Sequence, residues 1–141
     1  METLKIEAKA KGLYLKLEKP KTALPQIMSD KQKTIQAILN IIDNAIRYTS
    51  EGGIVINLKK EKGNVLIEIK DTGAGMDQEE LAGLFESFSR GKTGNHYWTE
   101  GIGLGLYVAQ KFVSLHGGRV WAESEGKGKG STFYIELPIN G

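Results

Sequence analysis

The chain reads as an α/β protein: a two-layer α/β sandwich, with a mixed sheet of about five strands and about three helices on one face. Three observations predict this. Residues 54–69 and 120–137 each hold two apolar-alternating runs joined by a short glycine turn, the signature of a hairpin. Residues 35–46 and 103–116 carry apolar residues at helical spacing. Leu13, Leu15 and Leu17 alternate with Tyr14 and Lys16 and add one more strand.

Each element has its own warrant. Residues 19–25 hold two of the three prolines and read as a connector. Ser29, with Gln32 three residues on, makes a capping box for a helix running to about Tyr48. Ile35, Ile38, Leu39, Ile42 and Ile46 form its apolar stripe. Glu51-Gly52-Gly53 turns the chain into the first hairpin, whose strands meet at Lys62-Gly63-Asn64. Asp77 caps a short helix through Leu84 and Phe85. Residues 89–100 are polar, mixed and patternless, which reads as a mobile loop. A helix from about Gly103 to His116 follows, with Val108, Phe112 and Leu115 predicted to face inward. Residues 126–130, three glycines alternating with two lysines, join the last two strands, 120–124 and 132–137.

A length of 141 residues suits about one domain, 1–141. Such a domain buries enough surface to need no metal or disulfide staple, and the chain has no cysteine to make one. A net charge of +2 without a long basic cluster gives no positive case for nucleic acid. No apolar run approaches the ~18 residues of a membrane span, and the N-terminus is charged rather than signal-like. The expected setting is cytoplasmic, with a parent protein that could be membrane-anchored. Glycine reaches 18 of 141 residues, and most of the excess falls between Gly73 and Gly130, where turns and close backbone approaches must need it.

Three segments carry chemistry. On the first helix Asn40, Asn44 and Arg47 or Tyr48 lie at i, i+4 and i+7 or i+8, one stripe opposite the isoleucines. Asparagine is a poor mid-helix residue, so two of them one turn apart need a reason. Two readings are open: a solvated face, or oxygen ligands for a hard cation such as Mg²⁺. Next, Asp71 closes an alternating strand and begins Asp71-Thr72-Gly73-Ala74-Gly75. Alone this is an ordinary turn. In context, the carboxylate can accept from an exocyclic amine, which adenine offers and guanine does not at that position. Gly73 and Gly75 permit positive φ and leave room beside a flat ring. Third, Gly101, Gly103 and Gly105 alternate with Ile102, Leu104 and Leu106 at the opening of a helix, where free N–H groups suit a phosphate. No Gly-Lys-Ser/Thr follows and no βαβ unit surrounds the run, so it is neither a Walker loop nor a Rossmann fingerprint. In that order the three segments describe a nucleotide pocket.

Around them, Phe85 and Phe88 read as core anchors, while Arg90 could reach a γ-phosphate when the loop closes, with Lys92 a weaker candidate. His96 and His116 read as structural or surface residues. The sequence shows no nucleophile elbow and no paired carboxylates for acid–base work.

These residues resemble the catalytic and ATP-binding domain of bacterial sensor histidine kinases, in the Bergerat-fold ATPase superfamily. That superfamily also holds the gyrase B subunit, a major heat-shock chaperone and mismatch-repair ATPases. The likeness spans about residues 13–138: residues 40–48 resemble the N box, 71–75 the first G box, 85–88 the F box, 101–106 the second G box, and 130–133 the closing strand. The resemblance implies ATP and Mg²⁺ as ligands. It implies that Asn44 ligates the metal with Asn40 nearby, that Asp71 binds the adenine amine, and that Tyr48 packs on the adenine. It implies phosphate contacts by Arg47, where many relatives carry lysine, and by the main chain of Gly103, Leu104 and Gly105. Arg90 would act from a lid at 89–100, and Thr132 would assist the adenine contact through water. The implied partners are ATP and ADP, a phosphoacceptor domain carrying the target histidine, and a response regulator downstream.

Two other functions compete. A gyrase-like hydrolysing clamp would place Glu where this chain has Asn40, and an amide cannot serve as the water-orienting base. A nucleotide-binding module without turnover is the second. Nothing before Leu13 resembles the family's phosphoacceptor hairpin, so the sequence is expected to be part of a longer kinase and, by itself, monomeric. We predict that this chain binds ATP without labelling itself. Intact-mass spectrometry after long incubation with ATP and Mg²⁺ should show no added phosphoryl group; a stoichiometric adduct would contradict the prediction.

Overall fold

The computed structural model describes residues 2–18, 31–83 and 102–138. Its elements in order are α1 (Glu2–Ala10), β1 (Tyr14–Glu18), α2 (Lys31–Arg47), β2 (Gly53–Glu61), β3 (Asn64–Asp71), α3 (Gln78–Gly83), α4 (Ile102–Leu115), β4 (Arg119–Glu123) and β5 (Ser131–Pro138). The five strands form one sheet in the order β1-β2-β3-β5-β4. β1 runs parallel to β2, and every other neighbour pair is antiparallel. The predicted mixed sheet and both hairpins are therefore present. At the first hairpin Lys62 and Gly63 both take positive φ, 50° and 81°, matching the twist of the strands they join.

The alternation read from the sequence sets the layers. Ile54 and Ile56 of β2 pair with Asp71 and Ile69 of β3, and Ile67 and Ile69 pair with Ile135 and Phe133 of β5. All these side chains lie on one face. α2 and α4 pack on that face and against each other, α2 over β2 and β3 and α4 over β4 and β5. The result is one contiguous core containing Ile41, Ile42, Ile46, Leu106, Val113, Phe133 and Ile135. α3 begins with the expected cap: the Asp77 carboxylate accepts from the Glu80 N–H at 2.8 Å, and the Glu80 carboxylate accepts from the Asp77 N–H at 3.0 Å.

Three expectations are corrected. A helix, α1, precedes the first strand. Among its described side chains it buries Leu4 and Ala8, one turn apart among charged residues, too few positions for a pattern to show. Among the described side chains of α4 the inward ones are Leu106, Ala109 and Val113, whereas Val108 is 47% and Leu115 82% exposed. This helix is apolar nearly all round, so its own sequence does not fix its rotation, which packing against α2 decides. Phe112 is half-buried and packs on His116, ring centroids 4.3 Å apart. In α2 Ile35 is exposed, and Ala37, Ile41 and Ala45 join Ile42 and Ile46 inside. The readings placed on the connector 19–25, Ser29, Phe85, Phe88, Arg90, Lys92, His96, Gly101 and the 89–100 loop lie outside the described residues.

Ile135 is fully buried at the centre of β5, whereas Glu136 beside it makes an exposed pair with Arg119. Ile135→Ala should cost about 2–5 kcal/mol through lost burial and a residual cavity. Glu136→Ala should cost under about 1 kcal/mol. Urea unfolding of both variants checks the layer assignment; equal costs would contradict it.

Candidate functional site

The C-terminal ends of α2 and β3 meet the start of β5 around a small cavity. Asn44, Tyr48, Asp71, Ala74, Gly75, Ser131 and Phe133 line it. Its volume of about 10 Å³ is room for a single water. Four of the residues singled out from the sequence, Asn44, Tyr48, Asp71 and Gly75, thus come together.

Asp71 is the last residue of β3 and points to the core face, 6% exposed. Its Oδ1 accepts from the Gly73 N–H at 2.8 Å and the Ser131 N–H at 3.2 Å. Burial disfavours the charged form and pushes this carboxyl up to about 6, although both backbone hydrogen bonds oppose the shift. Oδ2 takes no hydrogen bond within the described residues, so the carboxyl retains acceptor capacity toward a ligand.

Asn44 sits one turn before the end of α2 and is 4% exposed. Its Oδ1 is buried without a hydrogen-bond partner among the described residues. Leaving an amide oxygen in that state costs about 1–3 kcal/mol. A cation at this oxygen would remove the penalty, so the residue fits a hard-metal ligand. Asn40, one turn earlier, differs: its Oδ1 accepts from Gln36 Nε2 at 2.8 Å. Arg47 is exposed, with its Nε 3.6 Å from Asp43. Burial pushes the Tyr48 phenol up to about 12 against the lowering effect of Arg47, so the ring stays neutral.

The loop after β3 is held from three sides. The Ala74 N–H donates to the Tyr48 carbonyl at 3.0 Å, and the Gly128 N–H donates to the Ala74 carbonyl at 2.6 Å. Ser124 Oγ accepts from the Met76 N–H at 3.0 Å and donates to the Gly130 carbonyl at 2.7 Å. Buried Glu80 pairs with Lys127 at 3.3 Å, fastening the β4–β5 turn to α3. The two glycines serve this packing differently from each other. Gly75 has φ of 69°, as expected. Gly73 does not have positive φ; a Cβ there would strike the Tyr48 carbonyl oxygen and crowd Asp71 Oδ1.

Thr132 does not share the inward face with Asp71. The β3–β5 register sets Ser131 opposite Asp71 and Thr132 opposite Lys70, on the other face of the sheet. Thr132 borders a depression of about 380 Å³ with Lys70 and Tyr134, and the edge of that depression also takes in Asp71 and Ser131. Ser131, buried and donating to Asp71, is the residue the sequence reading missed. The signal was present: Ser131 shares the parity of the inward Phe133, Ile135 and Leu137. Gly103, Leu104 and Gly105 lie in the first turns of α4.

A model of the histidine kinase-, DNA gyrase B- and HSP90-like ATPases matches residues 29–141. The adaptive-response sensory kinase SasA of Synechococcus elongatus is 37% identical over 118 residues, covering 82% of this chain and 30% of that protein. The sensor histidine kinase WalK of Bacillus subtilis is 38% identical over 112 residues, covering 77% of this chain and 18% of that protein. The chain thus spans under a third of the length of these relatives. Among solved structures, full-length ShkA in complex with AMPPNP superposes with a TM-score of 0.84 at 28% identity, covering 99% of this chain and 28% of that one. The catalytic domain of histidine kinase ThkA superposes at 0.80 with 22% identity, covering 99% and 92%, a likeness of fold.

The Asp71 carboxyl titrates near 6 when folded and near 3.8 when free. Its contribution is therefore favourable below pH 4 and is lost as pH rises through 6, by up to about 3 kcal/mol. Asp71→Asn keeps the acceptor for both N–H groups and removes the charge. It should raise stability at pH 7 and flatten the pH dependence between 4 and 7. Urea unfolding across that range checks this; parallel profiles for parent and variant would contradict it.

Proposed function

Because this chain belongs to the family of histidine kinase-, DNA gyrase B- and HSP90-like ATPases, and is homologous to the catalytic domains of sensor histidine kinases, we propose that it holds ATP with Mg²⁺. In this reading it presents the γ-phosphate to a histidine on a separate phosphoacceptor domain. A response regulator would then receive the phosphoryl group. The reading puts the domain on the cytoplasmic side, where ATP is; among the described residues no helix is long and apolar enough to cross a membrane.

One observation carries the proposal: a buried carboxyl with acceptor capacity and a buried amide oxygen with no partner face the same cavity. The first suits an adenine amine and the second suits a cation. Asp71 accepts from the exocyclic amine, and Gly73 and Ser131 hold its Oδ1 in place. The single-water cavity beside Asp71 and Ser131 has the size for a water that bridges them to the base. Tyr48 provides a neutral ring at the wall of the pocket. Asn44 offers its amide oxygen to Mg²⁺, which when bound would neutralise phosphate charge. Asn40, its oxygen engaged by Gln36, keeps amide N–H groups for a phosphate oxygen. Arg47, exposed at the end of α2, can swing to a phosphate at the loss of only a weak surface pair.

Phosphoryl transfer needs mainly positioning and charge neutralisation, so a binding domain supplies most of the catalysis. A hydrolytic clamp is disfavoured by the amide at position 40, which cannot activate water.

Thermal unfolding with a non-hydrolysable ATP analogue tests the reading. At 100-fold excess over Kd the stabilisation should be about 2.7 kcal/mol, with little from a GTP analogue. Asn44→Ala should reduce it more with Mg²⁺ than with EDTA. No shift with either nucleotide would contradict the proposal, and equal losses with and without Mg²⁺ would remove the metal assignment.

A further inference from the structure

The last turn of α2 carries Asn44 and Tyr48, so whatever fixes that turn fixes the candidate site. A helix leaves its final carbonyls without intrahelical donors, and the donors found here come from several places. The Asn44 carbonyl accepts from the Tyr48 N–H at 3.2 Å, and the Ala45 carbonyl from Thr49 Oγ1 at 2.7 Å. The Ile46 carbonyl accepts a long bond from the Thr49 N–H, 3.3 Å, and a short one from Lys11 Nζ, 2.8 Å. The Arg47 carbonyl accepts from Lys11 Nζ at 3.1 Å, its one donor among the described residues. The Tyr48 carbonyl accepts from the Ala74 N–H.

Lys11 is thus 35 residues away in sequence and bonds both residues flanking the Ile46–Arg47 peptide. Lys11 itself is exposed, but the backbone that carries it is fixed. α1 ends in a paired cap: the Leu13 N–H donates to the Ala8 carbonyl at 2.9 Å and the Gly12 N–H to the Lys9 carbonyl at 3.0 Å, with Gly12 at φ 76°. Ala8 and Leu13, on either side, are buried in the core. An ammonium at a helix C-terminus also meets the negative end of the helix dipole.

We propose that Lys11 is a positioning residue for the nucleotide pocket. It ties α1 to the end of α2, and through that turn it sets the Tyr48 ring and the Tyr48 carbonyl that anchors Ala74 beside Asp71. The inference rests on the nucleotide reading for its functional consequence, and on the hydrogen bonds alone for its structural part.

The test compares Lys11→Met, Lys11→Arg and a control, Val65→Ala, a core truncation in the β2–β3 hairpin at the end remote from Asp71. Two quantities are read: amide exchange at Ala74 without nucleotide, and the Kd for ADP. Lys11→Met should speed Ala74 exchange by about fivefold, as local opening becomes easier. It should weaken ADP binding by about threefold to fivefold, the upper end of the scale for exposed helix-end charge contacts. Lys11→Arg should restore both to within about twofold, and Val65→Ala should lower the melting temperature without changing either. If Lys11→Met moves Ala74 exchange and ADP affinity no more than Val65→Ala does, the proposal is overturned. Faster exchange without weaker binding would leave Lys11 a stability cap and overturn its role at the site. A parent chain that fails to bind ADP would bring down the nucleotide reading instead, while the exchange comparison would still decide whether Lys11 positions the turn.

Discussion

The Asp71 carboxyl is the constraint around which the site is built. It ends β3 on the buried face, and its Oδ1 joins the following loop, through Gly73, to the first residue of β5, through Ser131. The end of β3 with its following loop and the start of β5, 60 residues apart in sequence, thereby share one oxygen. Without those two N–H groups the carboxyl would be buried and unsatisfied, a more costly state than the one observed. The braces outside it hold the same geometry: Ser124 spans Met76 and Gly130, and Gly128 reaches back to Ala74. The β4–β5 turn, a run of glycine and lysine, is therefore a brace for the loop beside the pocket as well as a connection.

The site is also where the fold gives up stability. A carboxyl pushed up to about 6 and an amide oxygen with no donor both lower the stability of the unliganded protein. Ordinary core positions would hold apolar side chains there. Such violations of local rules, placed side by side on one cavity, are expected where a ligand supplies the missing partners. The two groups differ in the partner they need: one takes a hydrogen-bond donor and the other takes a donor or a cation. That difference fits a base amine approaching Asp71 and a metal–phosphate group approaching Asn44.

Much of this was legible in the sequence because it rests on local period. The β2–β3 and β4–β5 hairpins, α2 and the Asp77 cap follow from alternation, helical spacing and turn chemistry within a few residues. The grouping of Asn44, Tyr48, Asp71 and Gly75 followed from ordered motifs. The misreadings have one cause in common: each depended on contacts between elements. α1 is visible only through Leu4 and Ala8 meeting the core. The rotation of α4 is set by α2. Gly73 is required by the Tyr48 carbonyl across the loop, not by its own φ. Ser131 rather than Thr132 faces Asp71 because of strand register, and one residue of slip reverses every side chain in a strand.

The most direct test of the account is a crystal structure of the chain with an ATP analogue and Mn²⁺ in place of Mg²⁺, located by anomalous scattering. The account predicts the adenine amine hydrogen-bonded to the Asp71 carboxylate and the manganese peak bonded directly to Asn44 Oδ1. A base bound away from Asp71, or a metal with Asn44 outside its coordination shell, would contradict it.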